Sequence, residues 1–461
     1  MSNAVNPKPL DDECVVAEKF QWSDLYKKED WWAIWLGFFV IFCGIISVTT
    51  GAFKFKAVKF TTWANEACPT FLDALTPDYL VSLAITFVFL AVLFSVGAFF
   101  MGMDVKKFVV GFAGVFACAW FAYLLSAHAT MKNYVEYAAW ALLVGLLICN
   151  TVGTPKWMNP AIQTEYYVNT GLVIMGAEVL FSNISNFGIY GLAIAWFVTP
   201  IVIIFMWLYG TKVLKMTSKP MVIVIATATS VCGVSAAIAA AAASGAKKND
   251  LTFAIGLSLI FTVLMMVFMP IFVKAVGMDP LIGGAWIGGT VDSTGAVVLA
   301  GEALGPVGGQ VAALVKMIQN ILIGFIALAI SIFFAMKVDV DGEDCRDKVG
   351  VGEIWHRFPK FILGFFAASV LFSFFVMPTF GNDVYSAILK TFSNYKGWCF
   401  CLAFTSIGLE SNFKEMIAQM EGGKPMNLYI VGQTFNLVLT LLIAWIMLSG
   451  IFLPIPTIVT A

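Results

Sequence analysis

Three observations predict an all-α polytopic membrane protein. The composition is 60% hydrophobic, 15% aromatic and only 12% charged, far outside the range of soluble domains. Apolar windows of the roughly 20 residues that a hydrocarbon core about 30 Å thick demands recur from Trp31 to the C-terminus. Two of those windows carry glycines and hydroxyls at their centres, the pattern of a discontinuous transmembrane helix.

The opening residues, "MSNAVNPKPLDDECVVAEKFQWSDLYKKED", are too polar for the apolar region of a signal peptide, so the first span is expected to be retained. They form a tail over 1–30, and Trp31 and Trp32 read as an interfacial anchor. Spans follow near 32–50, 79–101 and 108–127, making an additional N-terminal membrane region over 31–130. The transporter core, 131–461, carries segments near 134–152, 160–182, 188–209, 219–243, 251–275, 281–301, 308–336, 357–377, 385–410 and 427–451. About 11–13 helices are expected to cross. The least regular segment is 385–410, whose "YSAILKTFSNYKGW" carries two lysines and suits the membrane interface as well as its interior.

With the N-terminus inside, the larger basic clusters fall on the inner side: the tail, Lys212/Lys215/Lys219, and Arg346, Lys348, Arg357 and Lys360. Lys54, Lys56 and Lys59 run against that orientation. The expectation is a multi-pass cell (inner) membrane protein with a cytoplasmic N-terminus. A net charge of -1 gives no basic excess for nucleic acid. There are nine cysteines, of which Cys43, Cys118, Cys149, Cys232, Cys399 and Cys401 lie in apolar segments, and none forms a CxxC pair. Neither a disulfide framework nor a metal site is expected.

The two interrupted segments are "ATATSVCGVSAAIAAAA" (226–242) and "GGTVDSTGAVVLAG" (288–301). Both run hydroxyls, a valine, a glycine near the midpoint, small residues, then an Ala/Val stretch. Non-helical backbone at that depth survives only where protein or a water-filled cavity surrounds it. A half-helix starting there offers free N–H groups and a positive dipole end to an anion, and a half-helix ending there offers carbonyls to a cation. The plainer alternative is that these small residues only let helices approach closely; the presence of Asp292 in one of the pair favours a site.

In the next span Lys316, Gln319 and Asn320 share one helical face. A lysine at that depth costs at least about 2.5 kcal/mol on insertion scales and faces a cavity or a partner. Glu178 in "MGAEVLFSN" and Glu410 in "IGLESNF" both follow a glycine in an apolar run, a match of the kind an inverted repeat produces. Glu302, at a span end, reads as a solvated boundary residue. His128 and His356 lie at loop edges, which disfavours a histidine proton relay.

At "TSVCGVSAAIAA" (229–240) and "GGTVDSTGAVVLAGEALG" continuing to Lys316, the chain resembles the sulfate exporter transporter family, also called YeiH-like, over roughly residues 135–450. That family's second motif reads like G-T-S-V-H-D-T-A-Q-V. Here Asp292 stands in place of its His, Ser293 of its Asp and Ala296 of its Gln, which marks a divergent member. The resemblance implies a secondary carrier with the fold of bile-acid and sodium/proton transporters: inverted repeats, two discontinuous helices crossing at the midplane, and a core that moves against a scaffold. It also implies a small anion such as sulfate, sulfite, thiosulfate or an organosulfonate.

The resulting expectation is an ion-coupled, alternating-access carrier of a small anion, without enzymatic activity, in the bilayer and as a homodimer. Substrate contacts are expected from Thr229, Ser230, Cys232, Gly233, Ser235, Thr290, Ser293, Thr294, Lys316 and Asn320. Asp292 and Glu178 would take a coupling Na+ or H+, Asp292 alternatively pairing with Lys316 in the empty site. No cofactor is expected. The first rival is a monovalent cation/proton antiporter on the same kind of fold. An intramembrane enzyme lacks a nucleophile and base within the membrane, and a sensor lacks an appended soluble domain.

Overall fold

The computed structural model describes residues 23–66, 68–131, 137–337, 358–412, 414 and 423–456. Most of the tail, and Arg346, Lys348, His356 and Arg357, lie outside the described residues. The fold is α-helical, with no β-strand among the described residues. Among the described residues, eight helices are long and apolar enough to cross a membrane. Large apolar side chains on the outer surface, among them Val81, Ile85, Val88 and Val92, are exposed in the way a hydrocarbon-facing surface requires. The protein is a multi-pass membrane protein.

Helices α1 (Glu29–Thr50), α2 (Pro77–Phe100) and α3 (Val105–Ser126) fill the first three expected spans. α2 starts where Thr76 accepts the Tyr79 N–H ahead of Pro77. α3 starts at Asp104, whose carboxylate accepts the Lys106 and Lys107 N–H groups. The Lys107 N–H above all holds that exposed carboxyl below the usual range. α4 (Tyr137–Thr151) follows, then α5 (Thr164–Gly176) and α6 (Phe181–Leu192), the last continuing through a π-helical turn, Ala193–Phe197, into Val198–Leu208.

Where one span was expected over 160–182, the chain breaks between α5 and α6. Helix α5 has 13 residues, about 20 Å at 1.5 Å per residue, and from Tyr166 to Gly176 it is buried on every side. Two serines of a later helix satisfy the freed backbone: Ser369 donates to the Val179 carbonyl, and Ser373 Oγ accepts the Phe181 N–H at 2.7 Å.

Both interruptions read from the sequence are present. α7 (Lys219–Ser230) and α8 (Val234–Ser244) divide the first segment, and α10 (Pro280–Thr290) and α11 (Thr294–Glu302) the second; α9 (Lys248–Ala275) lies between the pairs. At 9–12 residues each is about 14–18 Å long, so none spans alone. α12 (Pro306–Lys337) follows, then α13 (Phe361–Leu371), α14 (Met377–Glu410) and α15 (Lys424–Leu448).

Segment 385–410 does not lie at the edge of the bundle. α14 kinks at Gly381 and then runs between α4 and α5, with every residue from Trp398 to Ser406 buried. α1 packs on α5, α13 and α14, so the first helix is integral to the core. α10, α11 and α8 pack on α12, while α15 lies against α7 and α10.

Candidate functional site

The two breaks touch. At Gly233 the backbone takes φ +63 and ψ -101, a conformation open in practice only to glycine. A Cβ there would lie 2.6 Å from Ser258 Oγ and 3.3 Å from the Asp292 carbonyl oxygen. Beside it Val291 and Ser293 are extended, which frees the backbone around Asp292.

Half-helices that stop inside the helix bundle leave carbonyls without intrahelical partners. Two helices supply the donors. From α12, the Gln319 amide donates to Ser230 O at 2.8 Å and to Gly289 O at 3.2 Å, serving α7 and α10 at once. Lys316 donates to the Val231 carbonyl and, at 2.6 Å, to Gln319 Oε1. From α15, Gln433 donates to Thr290 O at 2.9 Å and Asn436 to Thr229 O at 3.3 Å. An ammonium at the C-terminus of α7 is also favoured by that helix's dipole.

The other side of the breaks is open. A cavity of about 840 Å3 is lined by Cys232, Gly233 and Ser235 at the start of α8, and by Ser293 and Thr294 at the start of α11. Helix geometry aims the first N–H groups of both at this space. Asn320 of α12 and Ser258 and Thr262 of α9 complete that end. Asn320 donates to Thr294 Oγ1 at 3.1 Å, while its Oδ1, fully buried, has no partner, and neither has Thr262 Oγ1. The same cavity is also lined by acids, Glu29, Asp30, Glu165 and Glu410, beside Lys28.

Asp292 sits just behind the wall, 1% exposed. One carboxylate oxygen accepts the Tyr429 hydroxyl and, at 3.1 Å, that of Ser258; the other has no partner.

A family profile described as Conserved hypothetical protein 698 matches residues 110–428. Two proteins of Nitratidesulfovibrio vulgaris, each a "UPF0324 membrane protein", are 52% and 50% identical to the chain over 380 residues, covering 80% of it and 65% of their own length. A UPF0324 membrane protein of Rhodopirellula baltica is 49% identical over 384 residues, 83% of this chain and 70% of its own. The chain belongs to the UPF0324 membrane protein family. It spans about 65% of the length of the first two relatives. No solved structure matches it.

In this UPF0324 protein the sequence-derived site residues divide into three groups. Cys232, Gly233, Ser235, Ser293, Thr294 and Asn320 line the cavity. Thr229, Ser230, Thr290 and Lys316 lie behind that lining: the three hydroxyls donate to carbonyls one turn back, Ile225, Ala226 and Trp286, and Lys316 is turned to the carbonyl ends. The expected Asp292–Lys316 pair is not formed, because each takes other partners. Glu178 is not in the wall; it meets Lys396 at 2.6 Å. Glu302 joins that group, 3.8 Å from Lys396 and accepting the Tyr137 hydroxyl, so it is paired rather than a solvated boundary residue.

Gln433, Asn436, Ser258 and Tyr429 were missed from the sequence. Gln433 and Asn436 carry the signal that revealed Gln319, neutral amides on one face of an apolar helix.

Proposed function

We propose that this UPF0324 protein is an ion-coupled secondary transporter of a small anion, working by alternating access. The observation that carries the reading is the convergence of two helix starts inside the bundle, α8 and α11, on one cavity, with the corresponding carbonyl ends capped by side chains of α12 and α15. The resemblance to sulfate exporters supplies the substrate class, an oxyanion such as sulfate, sulfite, thiosulfate or an organosulfonate. The anion would lie against the first turns of α8 and α11 and the amide of Asn320. Lys316 contributes its charge from behind, through the carbonyl ends it caps. A coupling Na+ or H+ would be held at the unpartnered oxygen of Asp292. The reading includes a place in the cell (inner) membrane, a cytoplasmic N-terminus, a homodimer, repeats of inverted topology, and no enzymatic activity.

One observation favours a monovalent cation/proton antiporter instead: the buried Asp292 carboxylate, with one free oxygen, lies behind the wall of a cavity that is itself lined by carboxylates. Thermal stabilisation of the solubilised protein separates the two. A ligand at 100 times its dissociation constant stabilises by about 2.7 kcal/mol. The carrier reading expects an oxyanion to stabilise the parent and not Asn320→Ala. Stabilisation by Na+ or pH alone, lost in Asp292→Asn, would replace it with the antiporter.

A further inference from the structure

The proposed function accounts for the helix starts in the cavity wall and leaves its acids unexplained. Glu29, Asp30, Glu165 and Glu410 in the same chamber repel a simple oxyanion. These acids come from the starts of α1 and α5 and the end of α14, three elements far apart in the chain.

Among the described residues the group stays acidic, with Lys28 and Lys360 as the cations beside it. Asp30 accepts the Asn169 amide and the Lys360 N–H, each at 3.2 Å. Glu410 accepts the Thr164 hydroxyl at 3.1 Å. Glu29 and Glu165 lie next to each other in the wall. Lys28, also in the wall, is 3.5 Å from Asp24. At the helix-start end, Asn320 Oδ1 and Thr262 Oγ1 are buried polar atoms in the wall without partners. Buried groups of that kind are normally satisfied, so they mark where a bound molecule makes contact. A volume of about 840 Å3 lies within the range for organic ligands of drug size.

Resting on the anion-carrier reading, we infer that the substrate is a small zwitterion, its sulfonate or carboxylate on the starts of α8 and α11 and its ammonium among Glu29, Glu165 and Glu410. An ammonium has three donors, one for each of Glu29, Glu165 and Glu410. Asn320 Oδ1 and Thr262 Oγ1 accept from any further donor on the chain between the two charged groups.

The test compares pairs that differ only in the cationic group: taurine with isethionate, homotaurine with 3-hydroxypropanesulfonate, and 4-aminobutyrate with 4-hydroxybutyrate. Binding is followed calorimetrically on the full chain in detergent. A charge-assisted hydrogen bond makes the amine of at least one pair bind about tenfold or more tighter than its hydroxyl partner. Glu165→Gln and Glu410→Gln, measured separately so that a folding failure in one leaves the other, erase that preference and leave the hydroxyl partner bound at least as tightly as before. Hydroxyl partners that bind as tightly as the amines overturn the zwitterion and leave the anion carrier standing. A preference that survives both substitutions overturns the assignment of the ammonium to these carboxylates. If no member of any pair binds, and sulfate and sulfite also fail, the anion-carrier reading falls with it.

Discussion

Lys316 donates to the carbonyl oxygen of Val231, the residue at which the first discontinuous helix leaves α-helical geometry. The lysine therefore belongs to the framework of the crossing, and the ligand wall is formed by its neighbour Asn320. The two residues should behave differently when replaced. Lys316→Met leaves Val231 O and Gln319 Oε1 without a donor and is expected to cost about 1–3 kcal/mol for each group, read as a lower unfolding temperature. Asn320→Ala is expected to leave that temperature within a few degrees and to weaken anion binding. The reverse pattern would return Lys316 to the ligand.

Gly233→Ala is expected to destabilise by about 1–3 kcal/mol, because φ +63 strains any side chain and the new methyl meets Ser258 Oγ. Gly188, within α6, has open space around its Cβ position. Gly188→Ala should be neutral or stabilising by up to about 1 kcal/mol. Thermal unfolding of the two variants side by side checks this, and equal effects would mean that Gly233 tolerates a side chain.

The Glu178–Lys396 contact predicts stability without function. Lys396→Met leaves Glu178 and Glu302 facing each other and should cost about 3 kcal/mol, while ligand affinity stays unchanged because neither acid lines the cavity. Adding Glu178→Gln should recover part of the loss. A change in Na+ or pH dependence of transport in Glu178→Gln would instead give Glu178 a coupling role.

Cys232 lies in the cavity wall and is 9% exposed, whereas Cys399 and Cys401 are fully buried. Peptide-level mass spectrometry after treatment with a small methanethiosulfonate should find Cys232 modified slowly, more slowly still with substrate bound, and Cys399 and Cys401 unmodified. Modification of Cys232 indifferent to every ligand would place the substrate elsewhere.

Much of the crossing was legible because polar groups in apolar runs are costly and therefore conspicuous. Asp292, Lys316, Gln319 and Asn320 stood out on that ground alone, and the glycines located the breaks to within a few residues. The interruption after α5 was not legible, since the serines that satisfy it, Ser369 and Ser373, come about 190 residues later. Nor could the sequence show that Glu29, Glu165 and Glu410 meet: each sits at the end of an apolar run, where a charge is ordinary. Thr229, Ser230 and Thr290 had the right composition for a ligand site, but their hydroxyls answer to their own helices, a local competition that residue type does not reveal.

The single amide of Gln319 has a mechanical consequence. It holds Ser230 of one broken helix and Gly289 of the other, so drawing the two apart would strip hydrogen bonds from both in the same movement, with Lys316 and Asn436 losing theirs soon after. At about 1–3 kcal/mol for each buried group left bare, such a separation is far more expensive than sliding intact helices past one another. In a carrier built this way the crossing is a rivet, and it must travel as one solid piece. The moving joint then lies at its perimeter, and variants that alter the speed of turnover without touching affinity should cluster there.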